Sequence, residues 1–230
     1  MKKIFIIILT MLVSLSSFSY AAAVEKDTYS ARVNGVVELN KNGNWSTAIS
    51  FDEMVEEIAF YTGASKAAVI SSLIENEVSD LRENNRKNVA LSRTTILQNM
   101  KSRTHIKIQI APFPTFKNKY RPKGLVIYAE GEKIGQDHTY VSKIVNVVFD
   151  RNNAIQPYNL IKTFVGNVFV NLEASDRIYF SVDGDFYDTG DTTHTGSISL
   201  NIGEHGNISY SASNTSGYFA YIYHDGTWNG

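Results

Sequence analysis

The chain has 230 residues, of which 43% are hydrophobic and 20% are charged, and its formal net charge is −1. This composition is that of an ordinary globular protein. It excludes a disordered chain and an overall electrostatic grip on nucleic acid or an anionic membrane, although it leaves room for a local basic patch. The absence of cysteine excludes disulfides, thiolate metal ligands and cysteine nucleophiles.

The first 23 residues have the pattern of a secretory signal peptide. Lys2 and Lys3 give a basic start, residues 4–13 are apolar except for Thr10, and Ala21–Ala23 offers small residues for cleavage. No later segment is long and apolar enough to cross a bilayer. The pattern therefore predicts a secreted bacterial protein, periplasmic or extracellular, that is cleaved near the last of these alanines and has no transmembrane anchor.

Residues 24–121 are predicted to form a small N-terminal α+β module around a helical hairpin. Ser50 precedes helical apolar spacing at about 51–61, and Ser65 precedes a second such stretch at about 65–83. The intervening Thr-Gly-Ala sequence breaks the first helix, so we expect the two helices to be joined by a short turn.

Weaker patterns flank this helical hairpin. Loose alternation at 29–39 and at 45–49, on either side of an Asn-Gly pair, predicts a β-hairpin. A short helix is predicted at 94–100 and a strand at 105–110. Three of the chain's four prolines fall within 112–122, where we place a linker and the boundary between two domains.

The helical hairpin resembles the opening of HU/IHF-type DNA-binding proteins. The run Phe51-Asp52-Glu53-Met54-Val55-Glu56-Glu57-Ile58-Ala59 is similar to that family's acidic-apolar first helix, and Thr62-Gly63-Ala64-Ser65-Lys66 is similar to its turn. Residues 86–91, 106–108 and 116–117 fall near the family's first strand, last strand and tail, so the resemblance covers about 51–120. The Gly-Phe-Gly type of turn and the DNA-embracing arm are missing. The resemblance implies an HU-like fold and, as an alternative function, an exported binder of nucleic acid or another polyanion.

A basic stretch follows the second predicted helix. Between Arg82 and Lys123 the only acidic residue is Glu83. We predict a polyanion-binding face that could take DNA, teichoic acid, lipopolysaccharide or an acidic glycan. Its candidate residues are Arg82, Arg86, Lys87, Arg93, Lys101, Arg103 and Lys107. The alternative is a solvated face that balances the acidic remainder of the chain.

Residues 122–230 are predicted to be all β. About seven alternating segments separated by Gly, Asn and Asp turns favour an antiparallel β-sandwich of immunoglobulin or jelly-roll type, so the whole chain is predicted to be α+β. These segments are 125–129, 139–149, 160–172 with a bulge at Gly166, 177–182, 196–202, 207–212 and 218–223. The clearest pattern is a hairpin of 196–202 with 207–212, beside which 218–223 returns.

An acidic segment at 183–191 is predicted to be a loop. It carries Asp183, Asp185, Asp188 and Asp191 together with two glycines. Oxygen-rich loops of this kind bind Ca²⁺, which makes calcium the one cofactor that the sequence suggests. The alternative is a plain turn rich in Asp and Gly.

Aromatic residues concentrate near the C-terminus. On the last predicted strand, Phe219, Tyr221 and Tyr223 share one face by alternation, and Trp228 follows them. If that face is exposed, it offers a stacking platform for sugar rings. The alternative is that these rings fill the core.

The sequence contains none of the common hydrolase or phosphate-binding motifs, which favours a protein that is not an enzyme. We therefore predict a non-catalytic binding module whose partner is a glycan or a protein at the cell envelope or outside the cell. A hydrolase acting on glycan or wall is an alternative. A β-pore former is another, since residues 192–216 alternate like a membrane-inserting hairpin, although runs of about seven residues are short beside the nine to eleven of a spanning strand.

Overall fold

A computed structural model of the protein describes residues 45–84, 92–111, 113–134, 138–156, 160–195 and 198–230. The described residues form three helices and eight strands, and all of them belong to one compact unit. In chain order these are β1 (Trp45–Ile49), α1 (Phe51–Thr62), α2 (Lys66–Asn84), α3 (Arg93–Ser102), β2 (His105–Ile110), β3 (Pro122–Ile134), β4 (His138–Asn153), β5 (Thr163–Ala174), β6 (Arg177–Thr195), β7 (Leu200–Asn201) and β8 (His205–Asn229). The fold is broadly α+β with a β-rich C-terminal region. The predicted signal peptide and the predicted strand at 29–39 lie outside the described residues.

The helices begin and end where local chemistry predicts. The Ser50 hydroxyl accepts a hydrogen bond from the Glu53 amide at 3.2 Å, and the Glu53 carboxylate accepts one from the Ser50 amide at 3.0 Å, so the start of α1 is capped reciprocally. Gly63 ends α1 in the left-handed region at φ +71°. The Ser65 hydroxyl accepts from the Ala68 amide at 3.2 Å and so begins α2. The predicted helical hairpin and the short third helix are confirmed.

The first sheet is antiparallel, with the strand order β1-β2-β3-β4-β7. Strand β1 pairs with β2, where Trp45 lies opposite Gln109. Strand β2 pairs in turn with β3, where Ile110 lies opposite Leu125. The expected domain boundary near 122 therefore falls between two hydrogen-bonded neighbours of one sheet.

The central part of this first sheet is buried on both faces. Val126, Tyr128, Val145 and Val148 pack against the three helices, whereas Leu125, Ile127, Val147 and Phe149 pack against the second sheet. A strand covered on both sides needs a continuous apolar run, which accounts for the unbroken series Leu-Val-Ile-Tyr-Ala at 125–129.

The second sheet consists of β5, β6 and β8 and closes on itself. Strand β5 pairs with β6 along one edge and with the start of β8 along the other, and β6 pairs with β8 over most of its length. At the crossing of β5 and β6, Gly166 lies opposite Gly184, and a Cβ on either residue would lie within 2.3 Å of a backbone oxygen. The bulge predicted at Gly166 is wrong, because the register of the β5–β6 pair shifts instead between Leu172 and Ala174.

The predicted hairpin of 196–202 with 207–212 is also wrong. Strand β7 pairs with β4, where Leu200 lies opposite Ile144, whereas residues 205–210 pair with β5. Between them Gly203, at φ +87°, turns the chain from the first sheet to the second, and its amide donates to the Leu172 carbonyl at 2.7 Å. Alternation shows which side of a strand is buried, but it does not identify the neighbouring strand.

Candidate functional site

The second sheet has one side in the core and the other towards solvent. We call the solvent side of β5, β6 and β8 the outer face; its side chains are exposed or half-buried. Cross-strand register aligns them in a regular array, because alternate residues of each strand point the same way. The outer face includes Asn167, Phe169, Asn171, Glu173, Arg177, Tyr179, Ser181, Asp183, Asp185, Tyr187, His205, Asn207, Ser209, Tyr218, Tyr221, Tyr223, Asp225 and Thr227.

Tyrosines are the most exposed large side chains of this face. Tyr218, Tyr221 and Tyr223 are 60%, 52% and 59% exposed along β8. Tyr221 and Tyr223 are two residues apart on one strand, which spaces their Cα atoms by about 7 Å. A second aromatic group lies on β5 and its neighbours, where the Phe169 ring is 6.1 Å from Tyr179 and 5.6 Å from His205, measured between centroids.

Carboxylates adjoin these rings. Asp183 lies opposite Tyr223 and Asp185 opposite Tyr221 in the β6–β8 register. The Tyr221 hydroxyl donates to the Asp183 carboxylate at 2.7 Å, and this hydrogen bond raises the pKa of Tyr221 above its usual value. The bond favours the protonated phenol and links the Tyr221 ring to the carboxylate.

Amide and hydroxyl groups fill the part of the outer face where β5 meets the start of β8. The side-chain oxygen of Asn167 accepts hydrogen bonds from the Asn207 amide at 3.3 Å and from the Ser209 hydroxyl at 2.9 Å. The outer face thus combines open aromatic rings with many donors and acceptors. Its one described Lys or Arg is Arg177, which is paired with Glu173 at 2.8 Å.

The structure divides the predicted aromatic set. Tyr221 and Tyr223 are on the outer face, but Phe219 and Trp228 are only 4% and 2% exposed and belong to the core. The shared face predicted for Phe219 is wrong because a β-bulge interrupts the alternation. Tyr187 lies opposite Tyr218 and Phe186 lies opposite Ala220, so Phe219 is the extra residue and turns inwards.

The acidic segment predicted as a loop lies entirely within β6. Asp183 and Asp185 belong to the outer face, Asp188 forms an ion pair with Lys162, and Asp191 lies opposite Ser213. Extension along a strand spreads the four carboxylates out, and among the described residues no three His, Asp or Glu side chains are placed to hold a metal ion. The loop prediction failed because the glycines of this segment allow close contact with neighbouring backbone rather than turns.

Four of the predicted polyanion-binding residues are paired with carboxylates. The ion pairs are Arg93–Glu75 at 3.3 Å, Lys101–Asp52 at 2.8 Å, Lys107–Glu57 at 2.6 Å, Arg103–Glu77 at 2.6 Å and Arg103–Glu130 at 2.8 Å. Arg82 is exposed on α2, whereas Arg86 and Lys87 lie outside the described residues. Four of the seven predicted residues are therefore paired with acidic residues that are distant in sequence.

Sequence reasoning missed much of the outer face. Phe169, Tyr179, Asp225 and His205 come from three separated segments of the chain, and only the pairing of β5 with both β6 and β8 brings them together. The signal that was available is the alternation in 167–171, where Asn, Phe and Asn alternate with valines. That pattern predicts that Phe169 faces away from the core, and an outward-facing phenylalanine is uncommon enough to mark a candidate surface site.

Two concave features lie away from the outer face. An enclosed cavity of about 30 Å³, lined by residues that include Tyr61, Arg151 and Tyr210, has room for little more than a water molecule. An open cleft of about 430 Å³ lies at the first sheet beside Tyr140 and Ile202.

Two further observations bear on identity. Among the described residues, no helix combines the length and the apolar character that crossing a bilayer requires. Comparisons of the chain with protein-family models, with curated proteins and with solved structures found no significant match, so the outer face is defined by its geometry alone.

Proposed function

We propose that the protein is a non-catalytic binding module that works at the cell envelope or outside the cell and holds a glycan on the outer face. The observation that carries the proposal is the row of exposed tyrosines on β8 beside the carboxylates of β6. Sugar rings have apolar faces that pack on aromatic rings, and their hydroxyls hydrogen-bond to carboxylates and amides. The outer face supplies both kinds of group side by side.

Restricted side chains support this proposal. The hydrogen bond from Tyr221 to Asp183 and the bonds that join Asn167 to Asn207 and Ser209 link these groups across neighbouring strands, which lowers their conformational freedom in the free protein. Side chains that are already ordered lose little entropy on binding, which favours affinity.

Three parts of the proposal rest on sequence. Export rests on the signal-peptide pattern of residues 1–23. The absence of catalysis rests on the missing enzyme motifs. The sandwich architecture rests on the alternating segments of 122–230, and in that architecture the second sheet is the layer that presents the ligand face.

The test is glycan binding by the mature chain, 24–230, and by two variants. We expect immobilised wall and extracellular polysaccharides to retain the wild type. Tyr221→Ala combined with Tyr223→Ala should weaken binding about fivefold or more, since two stacking contacts together contribute about 1–3 kcal/mol. Tyr140→Ala is the matched control, because Tyr140 is 42% exposed but lies on β4 of the first sheet.

The outcomes separate the proposal from its alternatives. Equal binding by wild type and the double tyrosine variant would refute the outer face as the site. Release of soluble sugars during the same incubation would show a hydrolase instead of a binder. Failure of every polysaccharide to retain the wild type would refute glycan binding.

A further inference from the structure

We infer that the glycan held on the outer face is cationic, an amino-sugar polymer whose amines are not acetylated. This inference rests on the proposed function, because it concerns the ligand of the same face. It adds a charge preference that glycan binding alone does not require.

The charges of the outer face carry the argument. Asp183, Asp185 and Asp225 lie on it, and Arg177 is the only Lys or Arg among the described residues of its three strands. Arg177, at the start of β6, is already paired with Glu173 at 2.8 Å. Because Glu173 neutralises Arg177, the face presents the negative charge of the three aspartates, and a positively charged ligand is the complementary one.

The position of each carboxylate strengthens the preference for an amine. Asp183 and Asp185 adjoin Tyr223 and Tyr221 across the β6–β8 pair. An ammonium group bound there would meet a carboxylate and the face of an aromatic ring together, and both attract a cation. The two carboxylates are spaced by about 7 Å along one strand, so a polymer with repeated amines could engage both.

The remaining groups favour a sugar over a basic peptide. Side-chain amides and hydroxyls, such as those of Asn167, Asn207 and Ser209, occupy the other half of the array. They suit the many hydroxyls of a glycan. A basic peptide would engage the carboxylates but would leave these groups to water.

The experiment compares two probes that differ in whether their amines carry charge. Binding of glucosamine hexamer and of N-acetylglucosamine hexamer to the mature chain is measured at about pH 6, where a sugar amine is protonated. We expect the glucosamine hexamer to bind at least about fivefold more tightly at low salt. The difference should shrink at about 0.5 M salt, because exposed charges are then screened over a few ångströms.

A triple variant tests the residues. Asp183→Asn, Asp185→Asn and Asp225→Asn together should remove the preference, so that the two hexamers bind this variant with similar affinity, because asparagine can still accept the hydrogen bond from Tyr221 but carries no charge. Glu132→Gln, an exposed carboxylate on β3 of the first sheet, is the control and should keep the preference. Circular dichroism confirms that both variants are folded.

Each result decides a separate point. Equal affinity for the two hexamers, or tighter binding of the acetylated one, would overturn the inference and leave glycan binding standing. No binding of either hexamer, together with no retention on polysaccharide, would overturn both. Tighter binding of hexalysine than of the glucosamine hexamer would overturn the choice of a glycan and identify a basic peptide as the ligand.

Discussion

The ion-pair network that joins α2 to the first sheet gives the sharpest test of how the layers are held together. The Glu77 carboxylate is buried and accepts from Arg103 and from Lys143, each at 2.6 Å. Arg103 also donates to Glu130, and Lys143 is also paired with Asp80. We predict that Glu77→Gln markedly destabilises the protein, because it removes the negative charge that both cations share.

The magnitude follows from these contacts. Each hydrogen bond between charged groups contributes about 1.5–3 kcal/mol, and Glu77 makes two of them. Glutamine keeps the volume and one acceptor oxygen, and each cation keeps its second carboxylate, so neither is left buried alone. We therefore expect a loss of about 3 kcal/mol in the free energy of unfolding, at the low end of the range for breaking a buried ion pair.

The assay is urea denaturation of the mature chain, with Glu75→Gln as the matched control. Glu75 lies on the same helix, but its pair with Arg93 is exposed, so its loss should cost at most about 0.5 kcal/mol. The slope of the transition should be unchanged in both variants. A difference of less than about 1 kcal/mol between the two would refute the reasoning that burial makes this network strong.

The pH dependence of the stability of Glu77→Gln provides a second test of the same network. Burial by itself would raise the pKa of Glu77, but hydrogen bonds from Arg103 and Lys143 outweigh it, and the pKa falls below the usual 4.5. The ionised carboxylate therefore contributes its full stability above about pH 4.5 and loses it as the pH falls through the lowered pKa. The gap between wild type and Glu77→Gln should accordingly narrow in strong acid.

Three further predictions concern the cores. Burial lowers the pKa of His105, so its contribution to stability is full above about pH 6.5 and falls away below it. In thermal melts the stability of His105→Phe relative to wild type should therefore rise between about pH 7 and pH 5, and an unchanged difference would contradict this. Phe186→Ala should lower the free energy of unfolding by about 3–5 kcal/mol in urea denaturation, because the ring is fully buried. A loss under about 1 kcal/mol would contradict this and show that the surrounding core fills the space left by the ring. Gly184→Ala should prevent folding or move β5, because its Cβ would lie 2.3 Å from the Val165 oxygen. Gly203→Ala has open space around its Cβ and should lower the free energy of unfolding by only about 1 kcal/mol, through its positive φ. Equal yields and circular dichroism spectra for the two variants would refute this contrast.

The helical part of the fold could be predicted because its signals are local. Ser50 caps α1 through a residue three positions away, and Gly63 ends the helix through its own φ. The period of the apolar residues then identifies the buried side. Each of these signals lies within one or two turns of the helix it defines, so no knowledge of distant neighbours is needed.

The β-rich part was harder because its decisive features are not local. Alternation placed Tyr221 and Tyr223 together, but a single extra residue at Phe219 reversed the side that Phe219 faces. Segment 183–191 has the Asp and Gly content of a turn and is nevertheless strand, because its glycines meet neighbouring backbone. Neither the inward turn of Phe219 nor the strand at 183–191 can be predicted without knowing the partner strand.

The carboxylate partners of the basic stretch could not be predicted for a related reason. Counting charges along the chain found one acidic residue between 82 and 123, yet Glu57, Glu77 and Glu130 approach the same cations from other elements. Whether a basic side chain is neutralised depends on the acidic side chains that lie near it in the folded protein, and the sequence order does not show these.

Strands β5, β6 and β8 assign stability and recognition to different residues of one sheet. Val168, Val182 and Ile222 face inwards and are buried, while their immediate neighbours Asn167, Asp183 and Tyr223 meet solvent. Outward positions of this kind can be exchanged at little thermodynamic penalty, since surface substitutions rarely change stability by more than about 0.5 kcal/mol. A library randomised at those positions should therefore yield mostly folded proteins, and selection from it could adapt one scaffold to new ligands.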